Sequence, residues 1–454
     1  MPAAPDSSRW VSETLTTWGR ARHADTLTLR AAGDDAVLAR ELAAAGDLPL
    51  IVYGSGRCYG DGALNSGGRT LLARGRDRIE EIDREAGVVV AQSGVTFDDL
   101  SAALHPIGFT YPVAAATGAV TLGGATVNDL HAKNNHSTGS FGRHVLWLDL
   151  MLADGSIVRT GREHEPELFH ATLGGLGLTG IVLRVALKLL PIATPAVDAR
   201  YRRVADIDEY LDLIQPENLK SGFWFGWVDA LTRGRHMGRG ILETGDYAPS
   251  SAGMQAAPKP TKVPLDLPRV ATHPALIERY NARRIANLSP DGLSIRKPVA
   301  PFYFPLDHIK GFNRVYGRRG FYSVHLGIPY SERDCIKKLL AEIVSARAGS
   351  IASVLKPMGG PGEGLMSFPL KGIAFAVDLP RRPGVEELHG RLERIALAHG
   401  GRLYVAKDAL MSADGFAAMF PNLDRFRAVL RRVDPKGRFQ SDMSRRLRIR
   451  PELG

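Results

Sequence analysis

The sequence predicts an α+β fold divided into two or three domains. Three observations point there. At 454 residues the chain exceeds what one hydrophobic core ordinarily serves. Short apolar runs bounded by glycine or proline recur throughout and read as strands. Beyond about residue 195, strands and helices alternate less regularly than in a parallel α/β fold.

Residues 1–30 read as a leading arm, with Trp10 and Trp18 as packing anchors. Asp34 to Ala45 is helical by composition. Leu48–Tyr53 is a short buried strand by its length and its glycine stop. It runs straight into Gly54-Ser55-Gly56-Arg57-Cys58-Tyr59-Gly60-Asp61. A glycine turn at a strand end presents a row of backbone N–H groups, a geometry that binds phosphate oxygens. The run approaches the dinucleotide fingerprint but lacks its helix and its βαβ context. Taken alone, it also reads as a tight hairpin.

Gly87–Ser93 is a further strand, and Gly94 to Leu104 starts a helix with Thr96 as its N-cap. Thr117 to Gly142 follows, the densest stretch in the chain. Its Gly123-Gly124 pair sits in an apolar run. Two histidines, a lysine and three asparagines come next, and Gly139–Gly142 closes the stretch. Glycine lets a ligand lie against bare main chain, so this stretch reads as a cofactor cradle. Val145–Ala153, the Asp154-Gly155 turn and Ser156–Thr160 form a hairpin. Glu167–Leu173 is a short helix, and Ile181–Leu189 a strand. A boundary falls near Pro191–Pro195. Ser250–Pro268 reads as a surface loop. Pro298–Asp307 reads as an edge strand or turn because of its prolines. Phe321–Pro329 and Ile373–Pro380 are strands, Glu386–His399 a helix, Leu403–Lys407 a last strand and Ala413–Val433 a helix.

The formal net charge is +10. A basic surface suits nucleic acid, anionic lipid or phosphorylated substrates, although arginine is spread along the whole chain. The C-terminal Arg445, Arg446, Arg448 and Arg450 keep a nucleic-acid or membrane-surface binder as an alternative of another class. No motif supports it, and no nucleic-acid partner is expected. The two cysteines, Cys58 and Cys335, imply no disulfide framework and a cytoplasmic, reducing compartment. The N-terminus has no apolar segment of the signal-peptide kind. No run approaches the ~20 apolar residues of a spanning helix, and no metal-binding spacing is present.

The ordered motifs carry a resemblance. Gly54–Asp61, Thr121–Gly124, His131–His136, Gly139–Gly142, Asp154-Gly155, Glu167–Phe169, Gly174–Gly180 and Gly401–Asp408 occur in one sequence along the chain. This order resembles the flavin oxidoreductases of the vanillyl-alcohol oxidase type, above all the branch that oxidises C2′ of a ribosyl lipid phosphate. SYGD in that branch is CYGD here. IHGKNHHSAGSFG is similar to LHAKNNHSTGSFG, FYHPLD to FYFPLD at Phe302–Asp307, and GRLYTAKD to GRLYVAKD at Gly401–Asp408. Its DPxxxFxSDMARRL run is similar to Asp434–Leu447.

The resemblance implies a two-domain fold. Residues 1–193 would bind FAD, residues 194–402 would bind substrate through an antiparallel sheet, and residues 403–454 would return to the FAD domain. It implies oxidation of a secondary sugar hydroxyl (a CH–OH group) to a ketone by hydride transfer to flavin. That would be the oxidative half of an epimerisation, completed by a short-chain NAD(P)H reductase. Gly54, Ser55, Gly56, Arg57, Cys58, Tyr59 and Gly60 would hold FAD. So would Thr117, Thr121, Gly123, Gly124, Asn128, His131, Gly139, Ser140, Gly177, Gly180 and Ile181. The first glycine turn has no histidine to tether flavin, so FAD is expected to be noncovalent.

Lys407 would stabilise charge on the reduced flavin. Tyr404 would point a phenol at substrate or flavin, and His131 would serve as base. A histidine bonded to backbone within the core is an equal reading for His131. Trp227, Tyr303, Lys356 and Lys133 match substrate-pocket positions. Three others depart from the branch: Ser323 and His325 stand where it has glutamines, and Ala376 where it has cysteine. A kept cofactor frame with an altered pocket implies the same chemistry on another substrate, with a ribosyl phosphate, a nucleoside, a nucleotide sugar and an aminoglycoside sugar as open as a polyprenyl lipid. An alditol or aldonolactone oxidase using oxygen is the alternative within the same fold.

Overall fold

The structure is a computed structural model that describes residues 10–46 and 48–450. Three sheets organise it. The first has four strands in the order Val11–Thr16, His23–Arg30, Arg69–Leu72, Leu50–Tyr53. Its first pair is antiparallel and the others parallel. The expected leading arm is therefore a hairpin, apart from the first nine residues, which lie outside the described ones. Its buried face is largely threonine and alanine (Ala24, Thr26, Thr28), too polar to stand out as an apolar run. Trp10 and Trp18 both pack on hydrophobic clusters, as expected. The helix Asp35–Ala44 starts on Asp34, whose side chain accepts from the Val37 amide.

The second sheet is antiparallel throughout, in the order Ile79–Asp83, Val88–Gln92, Ile181–Lys188, Val145–Met151, Ile157–Gly161. The helix Phe97–Leu104 opens with a full capping box between Thr96 and Asp99. The short helix Leu122–Val127 is capped by Thr121, which accepts from the Gly124 amide.

Between Lys188 and Ala196 the chain leaves this sheet for an eight-stranded one. Its order is Leu293–Pro298, Ala196–Val204, Gly240–Tyr247, Phe223–Val228, Ser353–Met358, Gly372–Pro380, Phe321–Pro329, Arg402–Leu403. In Phe321–Pro329 every residue but the last is buried, as is all of Gly372–Pro380, so these strands read as continuous apolar runs.

Several boundaries differ from the sequence reading. Pro298 closes an edge strand, but Val299–Tyr303 is a helix followed by a 3-10 turn, Pro305–His308. Pro301 sits in the helix's first turn, where its missing N–H costs nothing. Only Arg402 and Leu403 pair as a strand. Val405–Lys407 is a 3-10 turn. The long C-terminal helix is two, Ala413–Met419 and Leu423–Val433, because Pro421 cannot continue the first. The 250–268 stretch is mostly exposed, yet Thr261–Lys262 pairs with Ile309–Lys310.

After Leu403 the chain turns back to the first sheet. The Leu50 amide donates to the Arg438 carbonyl and the Gln440 amide to the Leu50 carbonyl. Among the described residues, no helix is long and apolar enough to cross a membrane.

Candidate active site

A cavity is lined from all three sheets, by Val52, Val182 and His325 among others. One wall is the loop Gly54, Ser55, Gly56, Arg57, Cys58, Tyr59, which leaves the end of the strand Leu50–Tyr53. Gly56 has φ +64°, and a Cβ there would lie 2.3 Å from the Tyr53 hydroxyl oxygen. Among the described residues, the amides of Ser55, Gly56, Arg57 and Cys58 donate to no protein acceptor. Four free N–H groups at one end of a cavity form a nest for an anion. The Arg57 guanidinium lies 4.4 Å from the centre of the Trp18 ring.

The opposing wall is Ala115–Thr117 with Val120, Thr121, Gly123 and Gly124. It meets the first loop closely. A Cβ on Gly54 would sit 2.7 Å from Thr121 Oγ1, and one on Gly123 would sit 2.8 Å from Ser93 Cβ. Asp307 anchors this wall from the far side. Its carboxylate accepts from Thr117 Oγ1 at 2.6 Å and from the Gly118 amide at 2.7 Å. Leu176, Gly177, Gly180 and Val182 complete the enclosure, and Asn128 and Leu130 line it further in. Leu176 adopts φ +60°, rare for a branched side chain. Free amides beside a slot of glycine and aliphatic side chains fit the pyrophosphate and flat ring of FAD.

Cys58 also faces the cavity, but its thiol donates to the Ala406 carbonyl at 2.9 Å. Burial pushes it up to about 12, so it stays a thiol.

The other end is built of side chains: His131, His325, Lys356, Tyr404 and Lys407. In the eight-stranded sheet, register partners share a face. Ala376 lies opposite both His325 and Val354, while Ala374 lies opposite Lys356 and Asp378 opposite Ser323. One face of three strands therefore presents Lys356, Ala376, Asp378, Ser323 and His325. Lys407 reaches the cavity from its 3-10 turn, with its ammonium 4.8 Å from the centre of the Tyr59 ring. Among the described residues, neither Lys356 nor Lys407 has a carboxylate within ion-pair distance.

Burial, then Lys407 and Lys133, brings Lys356 down to about 7. Burial also lowers Lys407, against the pull of Asp378. Asp378 itself is pushed up to about 6 by burial, against the Lys407 ammonium. Both histidines are held well below the usual imidazole range, first by burial and then by the two lysines. The Tyr404 phenol donates to the Asn128 carbonyl at 3.3 Å, and burial keeps it protonated.

Several residues expected at the site do other work. Gly60 is a packing point, since a Cβ there would fall 1.7 Å from the Asp408 carbonyl oxygen. Gly139 and Ser140 belong to a turn built around buried Asp129. That carboxylate accepts from Ser140 Oγ, the Gly142 amide and Ser367 Oγ. Ile181 is in a separate core cluster with Leu29, Leu38 and Leu50.

Lys133 is buried in an ion pair with Glu243 at 2.6 Å and also donates to the Phe302 carbonyl. It ties the glycine-rich loop to the large sheet and does not line the cavity. Trp227 donates to the Ile351 carbonyl and lies under Arg284. Tyr303 bonds the Tyr247 hydroxyl and packs on Tyr111. Ser323 and Ala376 lie on the correct face but behind the cavity lining. The size of both leaves His325 and Lys356 as the groups that reach in.

Sequence reasoning missed the supports. Asp61, Asp408 and Arg446 lie in three motifs quoted above, and they meet: Arg446 forks onto Asp61 at 2.7 and 2.9 Å and reaches Asp408 at 3.0 Å. Asp307 was visible as the last letter of FYFPLD. Arg445 and Arg450 are likewise spent within the molecule, on Asp442 and Asp434. The C-terminal arginines are therefore mostly not a free basic tail.

Known proteins match this sequence. The FAD binding domain family matches residues 31–161. The D-arabinono-1,4-lactone oxidase family matches residues 373–447. Decaprenylphosphoryl-beta-D-ribose oxidase of Mycolicibacterium smegmatis is 33% identical over 455 residues, covering 97% of this chain and 98% of that protein. An uncharacterised protein of Streptomyces coelicolor is 31% identical over 367 residues, 78% of this chain and all of that protein. L-gulonolactone oxidase of Mus musculus is 27% identical over 140 residues, 31% of each chain.

Proposed function

Because the chain belongs to the FAD-dependent oxidoreductase family that includes decaprenylphosphoryl-beta-D-ribose oxidase, we propose that it oxidises a secondary hydroxyl of an anionic sugar derivative to a ketone. It is an FAD-dependent oxidoreductase acting on a CH–OH group. The finer reading rests on one observation: Lys356 and Lys407 face one cavity beside two neutral imidazoles, with no carboxylate paired to either lysine among the described residues. Two unpaired ammonium groups favour a phosphate-bearing ligand such as a ribosyl phosphate. They disfavour a cationic aminoglycoside, and a neutral nucleoside would leave both uncompensated.

Bound FAD supplies the two-electron acceptor for the carbinol hydride. The chain supplies position and charge. Its two glycine-lined walls, with residues 1–193 and 403–454 as the FAD-binding portion, would hold the cofactor, the first by its free Ser55–Cys58 amides and the second by close packing. The absence of a thiolate at Cys58 supports a dissociable cofactor. Lys407, which lines the cavity, would stabilise the negative charge that accumulates as substrate is oxidised. Lys356 meets the substrate's anionic group, and His131 takes the carbinol proton. The keto sugar would then be reduced from the opposite face by a separate nicotinamide-dependent reductase.

The test is a visible spectrum of the purified protein, followed by anaerobic bleaching. Ribosyl phosphates are expected to bleach the flavin, whereas nucleosides and aminoglycosides are not. A second reading, a lactone or alditol oxidase, is favoured by the lactone oxidase match over residues 373–447. Bleaching by alditols but not by ribosyl phosphates would select it.

A further inference from the structure

His131 and His325 come from distant parts of the chain, the glycine-rich loop and the strand Phe321–Pro329. Their Nε2 atoms lie 3.2 Å apart. Two imidazole nitrogens at that distance share one hydrogen. While both rings are neutral they are opposite tautomers: one carries Nε2–H, and the other offers a bare Nε2. The rings cross at 82° and are 6% and 2% exposed. Phe368 and Tyr404 pack on both, with ring centres 5.0 to 5.5 Å away. Neither Nδ1 has a protein partner. The charged groups facing the pair are Lys356 and Lys407, and among the described residues no carboxylate bonds either ring.

We infer that the two imidazoles work as one base of capacity one, with His325 as the positioning residue that fixes the tautomer of His131 and shares the proton it takes up. This deepens the carbinol oxidation proposed above and rests on it. In that step the carbinol C–H electron pair departs with the hydride to the flavin. The O–H proton passes to Nδ1 of the ring that carries Nε2–H, which has no other acceptor lone pair, and the O–H electrons close the C=O bond. The proton does not remain a bare cation beside two ammonium groups. Its charge strengthens the existing Nε2–H···Nε2 bond between the rings, which becomes charge-assisted. A second proton would set two imidazolium ions 3.2 Å apart, so uptake stops at one. Burial and the lysines keep the resting pair neutral and ready to accept.

The experiment compares His131→Gln, His325→Gln, His325→Phe and the double glutamine variant as FAD-loaded proteins. In the resting enzyme labelled with ¹⁵N-histidine, one downfield imidazole N–H proton signal is expected, lost in both single glutamine variants. Anaerobic flavin reduction by ribose 1-phosphate is expected to slow by about 10- to 100-fold in each single variant, with substrate affinity nearly kept. The double variant should be no slower than the worse single one, as for residues acting as a unit. Loss of the signal in only one variant, or single effects that multiply in the double, overturns the inference. A His325→Gln enzyme as fast as wild type beside a slow His325→Phe would also overturn it, since packing alone would then suffice. If no glycoside bleaches the wild-type flavin, the carbinol reading fails, and the N–H signal alone decides whether the pair exists.

Discussion

The two ends of the cavity are made of different material. The cofactor end is main chain: a first glycine loop whose Ser55–Cys58 amides donate to no acceptor among the described residues, facing a second whose Cα atoms stand too close to neighbours for a side chain. The substrate end is side chain: two ammonium groups and two imidazoles on a sheet face and a turn. Backbone recognition tolerates little change and says little about the ligand beyond its phosphates. Side-chain recognition is where a family changes substrate. Glutamine to His325 and cysteine to Ala376 alter it without touching the frame.

The sharpest way to separate the ends is Lys407→Met. Flavin should stay bound, while its reduction slows about 100- to 1000-fold, the usual cost of removing a group that stabilises developing charge. Stopped-flow bleaching reads it, and a colourless variant would show that Lys407 holds the cofactor instead.

Asp307→Ala acts on the other end. Losing two hydrogen bonds from a carboxylate, at about 1.5–3 kcal/mol each when charge-assisted, should weaken FAD binding by at least about tenfold. The reduction rate at saturating FAD should be unchanged. Ultrafiltration at graded FAD concentrations measures the loss, and a slower saturated rate would mean the two ends are coupled.

Gly60→Ala tests the packing beneath the first loop. Its Cβ would need the Asp408 carbonyl to move, at about 1–3 kcal/mol of overpacking. A lower Tm and faster FAD release are expected, and an unchanged Tm would show that the loop shifts freely.

The smallest effect is a pH dependence. With its ammonium brought down to about 7, Lys356 is charged below that pH and neutral above it. Affinity for a non-titrating phosphodiester should be greatest below pH 7. It should fall by up to about tenfold per unit above, until the bound-state ionisation is passed. Lys356→Met should flatten the profile, and a flat profile in the wild type would remove Lys356 from anion binding.

Legibility followed the same division. The glycine loops, the Thr96 cap and the strands Phe321–Pro329 and Gly372–Pro380 were plain, because backbone geometry and continuous burial both leave local marks. The Val11–Arg30 hairpin was not, since its buried threonines look polar. Of the expected site residues, those in the two glycine loops line the cavity almost throughout. Lys133, Trp227 and Tyr303 do not. A charged or aromatic residue in a motif does not reveal which neighbour it will meet, and Glu243, Ile351 and Tyr247 lie far off in sequence. The supports, Asp307 and Arg446, are long-range partners of loops they do not adjoin.

Arg446 has one more consequence. It closes the first glycine loop from within the last few residues of the described chain, and Arg438 and Gln440 run beside the strand that leads into that loop. A chain made only as far as residue 433 lacks one wall's anchor, so the yellow colour should arise only once the segment through Arg446 has been made and folded back. Stop codons placed just before Asp434 would yield apoprotein, however much riboflavin the host is fed.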